Sequence, residues 1–360
     1  VDLKVQDDLT VTDDVSIGGD AAVTGALTGG TVNGLGIVYN ITNFANGILI
    51  SNDGGTGTLS SANNNTGLGF EVFDDLTSGD DNVGVGVQAL TKLTEGLQNV
   101  AIGSASLDAL TTGDYNTAVG TSALGATTTA DRNTAVGTGA LQSNTTGDRN
   151  TSVGAFSLED NTTGQYNVAL GHDALANNTT ANGNVAVGYT SLQANTTGTL
   201  NAGLGHQALY SNSTGTNNTG VGTYALYANT TASNNTAVGM NSLVANTTGT
   251  QNTVVGASAG LALTTGSNNV AVGFEALKNE DAHGGNTAIG TQALFVLNAG
   301  ADAFNTAVGY QALAACTTGT QNVSVGSTSL DANTTGQNNV AVGYDAAPML
   351  TTGSDNTFIG

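Results

Sequence analysis

A unit of 17 residues that begins with Asn recurs along the sequence from position 65 to position 360. Eighteen copies occur, and 16 of the 17 intervals between their first residues are 17 residues long; the interval from Asn286 to Asn305 is 19. Every copy has Asn at position 1, an aliphatic residue at position 4 and Gly at position 5, and most have Leu at position 9. A repeat of fixed period indicates a stack of similar supersecondary units.

The residue types of the unit favour β-structure over helix. The segment NTAVG alternates in polarity and is rich in β-branched residues, which is typical of a short strand. Gly at positions 5 and 15 with a Thr pair between them would make a very poor helix, and helical repeats need about 33 residues. We therefore predict an all-β fold, a parallel β-solenoid or β-roll of about 18 coils. Each coil would have two short strands and two corners, and the second of these strands, at positions 6 to 11, is a short extended or turn segment. With strands about 4.8 Å apart, the rod would be roughly 85 Å long.

Stacking places like residues over like residues, so each position of the unit predicts a column. Asn at position 1 predicts a ladder of side-chain amides, Gly at position 5 a corner with positive φ, and the aliphatic residues at positions 4 and 9 the dry interior. The structural residues that represent these columns are Asn116, Gly120, Asn133, Val136, Gly137, Leu141, Asn150 and Gly154. Two sizeable apolar side chains per coil make a thin interior, which favours association of several chains along the rod.

Charge and composition exclude several functions. The chain has 5 Lys and Arg against 27 Asp and Glu, a formal net charge of -22. The five cations are scattered, so nucleic acid is not expected as a partner. No apolar run approaches the length of a membrane span, so no membrane insertion is expected. The single cysteine, Cys316, cannot form an intrachain disulfide.

Two segments precede the repeat. Residues 1–30 follow a six-residue period, as in LTVTDD and VSIGGD, which predicts a hexad-repeat β-shaft wrapped with copies of itself. Residues 31–64 are predicted as a connector and cap, and residues 65–360 as the solenoid; we expect the natural chain to continue beyond them, because an open solenoid end needs a cap. Acidic residues of the shaft could hold Ca²⁺, or could serve solubility and prevent sideways association. They are Asp7, Asp8, Asp13 and Asp14.

The phrases NTAVG, NVAVG and NTAIG, followed by a small residue and Leu, resemble the head repeats of YadA-like trimeric autotransporter adhesins and the repeats of bacteriophage tail-fibre proteins. The opening DDLTVTDDVSIGGD resembles the N-terminal shaft of such phage fibres. The resemblance implies a parallel homotrimer of left-handed β-rolls, located on a virion surface or outside the cell. It also implies virion tail or baseplate proteins and a host surface glycan or protein receptor as partners. The adhesin unit is shorter than the unit of this chain, so the shape of the coil is expected to differ.

Few side chains could carry chemistry. Asp114, Asp131 and Asp148 share position 16 of consecutive coils. The sequence allows two interpretations of this column: a cation or glycan site, or a solvated column of charges partly neutralised by two neighbouring Arg residues. His172 and His206 share position 6, two coils apart. They are candidate metal ligands if that position faces a three-fold axis, and the aromatic residues at the same position could instead contact carbohydrate. The NTT pattern is a glycosylation acceptor and equally a turn sequence.

The sequence predicts no catalytic residue and no cofactor, apart from the Ca²⁺ considered above. We expect a structural fibre of a phage virion, such as a tail fibre, that acts as a stiff spacer for host attachment. A cell-surface adhesin or extracellular filament is the alternative, and an ice-binding solenoid and a glycan-degrading tailspike are the remaining ones. The Thr pair of NTTG superficially suits ice, but it lies at a turn, where a flat face is not expected.

Overall fold

The computed structural model describes residues 30–32, 35–41, 44–51, 58–280 and 282–360. The hexad shaft, apart from Gly30, lies outside these residues, and so do its candidate Ca²⁺ ligands Asp7, Asp8, Asp13 and Asp14. All regular structure in the described ranges is β-strand. These ranges therefore contain no helix that could cross a lipid bilayer.

An antiparallel meander leads into the solenoid. Strands β1 (Gly30–Val32), β2 (Leu35–Ile41) and β3 (Phe44–Ser51) pair in chain order. Strand β3 also pairs in parallel with the first strand of the repeat, where Leu49 lies opposite Gly67. The side chain of Leu49 is buried. The segment predicted as a connector and cap thus supplies the neighbour on which the first coil stacks.

Each unit contributes one strand of three residues, at positions 2 to 4. These strands are β4 (Thr66–Leu68), β5 (Val83–Val85), β6 (Val100–Ile102), β7 (Thr117–Val119), β8 (Thr134–Val136), β9 (Thr151–Val153), β10 (Val168–Leu170), β11 (Val185–Val187), β12 (Ala202–Leu204), β13 (Thr219–Val221), β14 (Thr236–Val238), β15 (Thr253–Val255), β16 (Val270–Val272), β17 (Thr287–Ile289), β18 (Thr306–Val308), β19 (Val323–Val325), β20 (Val340–Val342) and β21 (Thr357–Ile359). Neighbouring strands pair in parallel, position on position, as Thr117 with Thr134. The chain is therefore an all-β parallel solenoid of about 18 coils with a repeat of 17 residues.

The prediction of a second strand in each coil is wrong. Positions 6 to 9 form turns in which positions 7 and 9 have positive φ, as at Ser122 (56°) and Leu124 (53°). Such backbone angles lie far from the extended region. Hydrogen bonds between coils continue through the turns: the N–H of Leu124 donates to the carbonyl of Ala140 at 3.0 Å, and the N–H of Ser122 to that of Ser104 at 2.9 Å. A ladder of turns therefore takes the place of the second sheet.

Positions 3, 8, 9 and 12 form the interior, rather than positions 4 and 9. In one coil these residues are Ala135, Ala140, Leu141 and Asn144, and none of them has exposed surface. The expectation that Val136 at position 4 lies inside is wrong, since 36% of its surface is exposed. Successive side chains of a strand point to opposite faces, and Ala135 takes the inner one. The interior is consequently narrow and lined mostly by small residues.

Gly at position 5 allows the coils to stack closely. Gly120, Gly137 and Gly154 have φ values of 141°, 138° and 135°, a region that side chains other than hydrogen disfavour. A Cβ on Gly137 would lie 2.5 Å from the carbonyl oxygen of Gly154 in the next coil. The corner and the contact between coils both require glycine.

Asn at position 1 closes each coil and links it to its neighbour. The backbone N–H and the Nδ2 of Asn133 donate to Oδ1 of Asn116 at 3.0 and 3.2 Å. The same Nδ2 donates to the carbonyl of Gly147 at 2.9 Å, at position 15 of its own coil. The backbone N–H of Asn150 bonds to Oδ1 of Asn133 in the same way, at 2.9 Å. The amide column is thus also a clasp that ties the end of each coil to its beginning.

Candidate functional site

The outer face of the sheet carries an aliphatic column along the whole solenoid. We name its position-4 residues the aliphatic stripe: Leu68, Val85, Ile102, Val119, Val136, Val153, Leu170, Val187, Leu204, Val221, Val238, Val255, Val272, Ile289, Val308, Val325, Val342 and Ile359. Away from the ends these side chains keep about a third of their surface exposed, as Val153 (38%) and Leu170 (39%) do. Single exposed aliphatic residues are ordinary, but a contiguous apolar band of this length marks an interaction surface.

Position 2, the other outward position of the strand, is uncharged as well. It holds Thr in ten coils, Val in seven and Ala in one. Together with the aliphatic stripe it makes an uncharged face on a chain whose net charge is -22. Sequence reasoning missed this face because it placed position 4 inside. The available signal was the small residue at position 3, which can point inward only if position 4 points outward.

A second ladder of buried amides lies at position 12. Seven consecutive coils, from Asn144 to Asn246, have Asn here, and the Nδ2 of each of the last six donates to the Oδ1 of the preceding coil, as Asn195 does to Asn178 at 3.0 Å. The ladder ends where Leu263 follows, and Oδ1 of Asn246 has no hydrogen-bond partner. Sequence reasoning assigned these Asn residues to turns. The Leu residues at the same position of other coils were the signal that the position is internal.

The position-12 Asn residues are also the acceptors of the NTT pattern. Glycosylation attaches sugar to Nδ2 of such an Asn. In this fold that atom is buried, and in Asn195 it donates to the carbonyl of Gly198 at 3.0 Å as well as to Asn178. The buried geometry favours the interpretation of NTT as turn chemistry rather than as a modification site of the folded chain.

The acidic column at position 16 serves the backbone. Oδ1 of Asp131 accepts the N–H of Asp114 at 2.8 Å, and Oδ1 of Asp148 accepts the N–H of Asp131 at 2.9 Å. The hydroxyl of Ser233 accepts the N–H of Thr216 at 2.9 Å at the same position of other coils. A short side chain with an acceptor atom therefore suffices here. This structural use was in neither of the two interpretations that the sequence left open.

Two Arg residues lie beside this column at position 17. The guanidinium carbon of Arg132 lies 5.2 Å from the ring centroid of Tyr115, and that of Arg149 lies 5.5 Å from that of Tyr166. Arg149 also donates to the hydroxyl of Tyr166 at 3.0 Å, and Arg132 lies 3.8 Å from a carboxylate oxygen of Asp131. These contacts are at the surface, where each contributes little to stability. Both cations are thus engaged by neighbours in the chain.

The side chains of His172 and His206 are not in contact. The ring of Tyr189 lies between them, with centroid distances of 5.8 Å to His172 and 5.5 Å to His206. Ligand nitrogens lie about 2.0–2.1 Å from a bound zinc ion, so these two imidazoles of one chain cannot share an ion. Nδ1 of His172 lies 3.1 Å from Oδ2 of Asp173. Across the ranges that the structure describes, no group of three or more His, Cys, Asp or Glu side chains is placed to hold a metal.

The two His residues belong to a continuous run of rings. We name it the aromatic patch: Phe156, His172, Tyr189, His206, Tyr210, Tyr224 and Tyr227. Neighbouring rings lie 5.2–5.9 Å apart between centroids, over five consecutive coils. The rings of His172, Tyr189 and His206 are stacked, whereas Phe156 and Tyr224 stand at 76° and 88° to their His neighbours. The sequence predicted sparse aromatic residues at position 6 only; positions 7 and 10 supply the other rings.

A buried acid accommodates the 19-residue interval. Glu280 occupies position 12 of its coil and has no exposed surface. Its Oε1 accepts the N–H groups of Ala282 and His283 at 3.3 and 3.1 Å, and its Oε2 that of Ala299 at 3.4 Å. Nδ1 of His283 lies 3.3 Å from the same Oε1. A carboxylate can be buried only with such donors around it, so Glu280 holds the longer loop while the strands on either side remain paired.

Burial shifts the pKa of three separate groups. It raises the pKa of the Asp108 carboxyl and that of Glu159, the latter with a further contribution from the negative charges of Asp160 and Asp173. It also raises the pKa of the Cys316 thiol to about 11. In each case the dominant cause is loss of solvation. None of the three shifts thus indicates an acid–base pair of the kind that catalysis uses.

No known family model matches the chain. A comparison with curated proteins likewise finds no matching sequence. The solenoid and the aliphatic stripe are thus the main structural indications of function.

Proposed function

We propose that the chain is a non-enzymatic structural part of an attachment fibre on a virion surface, and that it assembles as a parallel homotrimer. The observation that carries the proposal is the aliphatic stripe, which runs without interruption along a rod of roughly 80 Å. The hydrogen-bond ladders between coils make the rod stiff, so it can act as a spacer. The resemblance of the NTAVG repeats to phage-fibre and adhesin repeats supports the virion context.

The aliphatic stripe suits contact between copies of this chain. In a parallel trimer the same column from three chains would meet around one axis, aliphatic on aliphatic. The two outward columns of the face are free of charge, so the strongly acidic chains would approach without burying like charges. Each copy would add the same surface to the contact.

The length of the stripe makes the association strong enough. Full burial of an aliphatic side chain contributes about 1.5–3 kcal/mol, so burial of the remaining third contributes about 0.5–1 kcal/mol per coil. Over eighteen coils this amounts to something on the order of 10–20 kcal/mol per chain, comparable with an association cost of about 4–15 kcal/mol. Only a long array of coils could therefore hold the assembly together.

The trimer is tested by the mass in solution, measured by size-exclusion chromatography with light scattering. We expect three chain masses for the wild type and loss of the trimer in Val136→Asp/Val153→Asp, which places two carboxylates in the aliphatic stripe. The matched control, Thr138→Asp/Ala155→Asp, adds the same charge to the same two coils at position 6. A monomeric wild type, or a trimer that survives in the first variant, would overturn the proposal. So would equal dissociation in the control.

Ice binding is a second candidate, because one observation favours it. The Thr pair at the turn is a poor ice-binding array, but positions 2 and 4 present Thr and Val, as Thr134 and Val136, on a regular parallel sheet. Ice and trimerisation would compete for this face. The fibre proposal predicts no thermal hysteresis in nanolitre osmometry. Hysteresis that disappears in Val136→Asp/Val153→Asp would instead favour ice binding.

A further inference from the structure

We propose that the aromatic patch binds a linear neutral polysaccharide lying along the rod. This inference rests on the proposed attachment role and adds the place and the chemistry of one binding site. The patch concentrates five of the 17 Phe and Tyr residues of the chain, and two of its three His residues, in five consecutive coils. Elsewhere position 6 carries isolated aromatic residues, such as Phe274 and Tyr344.

The edges of these rings can hydrogen-bond to hydroxyl groups. Tyr189 is 51% exposed, and the imidazole of His172 is half exposed. Every ring of the aromatic patch except Phe156 carries an oxygen or nitrogen on its edge. In the described part of the chain, the hydroxyls of the four Tyr residues form no hydrogen bond to other protein groups. A polyhydroxylated ligand would meet a row of partly exposed ring edges that carry polar atoms.

The arrangement of the rings is fixed before a ligand arrives. Tyr189 is held between two imidazoles, and Tyr210 is stacked on Tyr227 at 5.2 Å with an angle of 6° between the rings. Tyr224 stands edge-on to Tyr227 at 5.7 Å and links the two groups of rings. Rings that already pack on each other lose little side-chain freedom on binding, which favours affinity.

Charge selects a neutral ligand. The chain has a net charge of -22, and none of its five Lys and Arg residues lies between positions 150 and 227. The charged groups nearest to the aromatic patch include the carboxyl of Asp173 beside His172, so an anionic polymer would be repelled. The patch is one to two rings wide and, at about 4.8 Å per coil, roughly 20 Å long. This shape fits a linear chain rather than a compact sugar.

The aromatic patch stays accessible in the proposed trimer. Its residues occupy positions 6, 7 and 10, which lie beyond the Gly corner at position 5. The aliphatic stripe lies on the strand before that corner. Binding and assembly therefore use different surfaces.

Affinity electrophoresis tests the proposal with three soluble neutral polysaccharides, hydroxyethyl cellulose, dextran and galactomannan, and with alginate as the anionic comparison. We expect at least one neutral polymer to retard the wild type and alginate to have no effect. Tyr189→Thr/Tyr227→Gln should lower the affinity by about tenfold or more. The new residues occur at the same positions in other coils, as Thr121 and Gln193, so the fold should be kept. Phe274→Thr/Tyr344→Thr, two isolated position-6 residues, is the matched control and should bind as the wild type does.

Three results would overturn the proposal: no retardation by any neutral polymer, equal retardation of the patch variant and the wild type, or stronger retardation by alginate. Light scattering on the same samples separates this proposal from the fibre proposal. A monomer that binds would refute the trimer and leave the binding site in place. A trimer that does not bind would refute the binding site and leave the trimer in place.

Discussion

Replacing Asn195 by Leu, in the middle of the position-12 ladder, should destabilise the solenoid. In the native fold Oδ1 of Asn178 accepts Nδ2 of Asn195 at 3.0 Å, and the substitution leaves that buried oxygen without a donor. On the other side, Nδ2 of Asn212 loses its bond to Asn195 but keeps its bond to the carbonyl of Gly215 at 3.1 Å. One buried acceptor is therefore unpaired, which costs about 1–3 kcal/mol.

The same substitution at the end of the ladder should be much better tolerated. Oδ1 of Asn246 is already unpaired, and Asn246→Leu removes it. The substitution also removes the Nδ2 that donates to Oδ1 of Asn229 at 2.9 Å, so that oxygen becomes unpaired instead. The number of unpaired oxygens does not change, and the new side chain stacks on Leu263. Leu is sterically normal at this position, where Leu93 is fully buried. The free energy of unfolding of Asn195→Leu should therefore lie about 1–3 kcal/mol below that of Asn246→Leu.

Urea unfolding followed by far-ultraviolet circular dichroism measures the difference. Hydrogen exchange with mass spectrometry should accompany it, because a stack of coils can open locally. Asn144→Leu, at the other end of the ladder, serves as a control: Nδ2 of Asn161 keeps its bond to the carbonyl of Gly164 at 3.0 Å, and no acceptor is orphaned. Equal stability of Asn195→Leu and Asn246→Leu would refute the reasoning, since unpaired oxygens would then carry no cost in this interior.

Two further predictions concern the corner and the thiol. Gly137→Ala should lower the free energy of unfolding by at least about 1–3 kcal/mol, because φ is 138° and the new Cβ would meet the carbonyl oxygen of Gly154. The control, Thr138→Ala, should change the free energy of unfolding by no more than about 0.5 kcal/mol. Equal urea midpoints for the two variants would contradict the requirement for glycine at this corner. The raised thiol pKa of Cys316, about 11, lies above an unfolded value of about 8.5, so its stabilising contribution should be complete below pH 8.5 and disappear as the pH rises towards 11. That loss of stability at alkaline pH should be smaller in Cys316→Asn. Alkylation of the Cys316 thiol at pH 8 should be slow until urea unfolds the chain. Rapid alkylation of the folded chain would show that the thiol is accessible and would contradict its burial.

Much of the fold could be predicted from the period of the sequence. Fixed spacing and a β-rich segment were enough to predict parallel stacking, and the recurring Asn and Gly pointed to columns. The inside and the outside of the strand were interchanged, because hydrophobicity alone assigned Val136 to the interior. In this narrow solenoid, small residues such as Ala135 fill the inner face of the strand, and only Leu141 brings a large apolar side chain from elsewhere in the coil.

Other features could not be predicted from residue types. Leu124 lies in a left-handed backbone region that Leu rarely adopts, and hydrogen bonds to the neighbouring coils hold it there. The aromatic patch depends on which of positions 6, 7 and 10 share one side of the rod, and the period alone does not determine this. Asn195 belonged to a turn motif by sequence, although its side chain lies in the interior.

Because of the clasp made by Asn at position 1, the length of the solenoid can change in steps of one whole coil. Since every coil joins the next through the same atoms, a whole unit could be lost or duplicated and the new neighbours would still fit, at a step of about 4.8 Å. The joint between Asn246 and Leu263 limits this freedom, because a polar column there gives way to an apolar one. Recombination between copies of the repeat in the gene could thus change the length of the rod by one coil at a time, and away from that joint no compensating mutation would be needed.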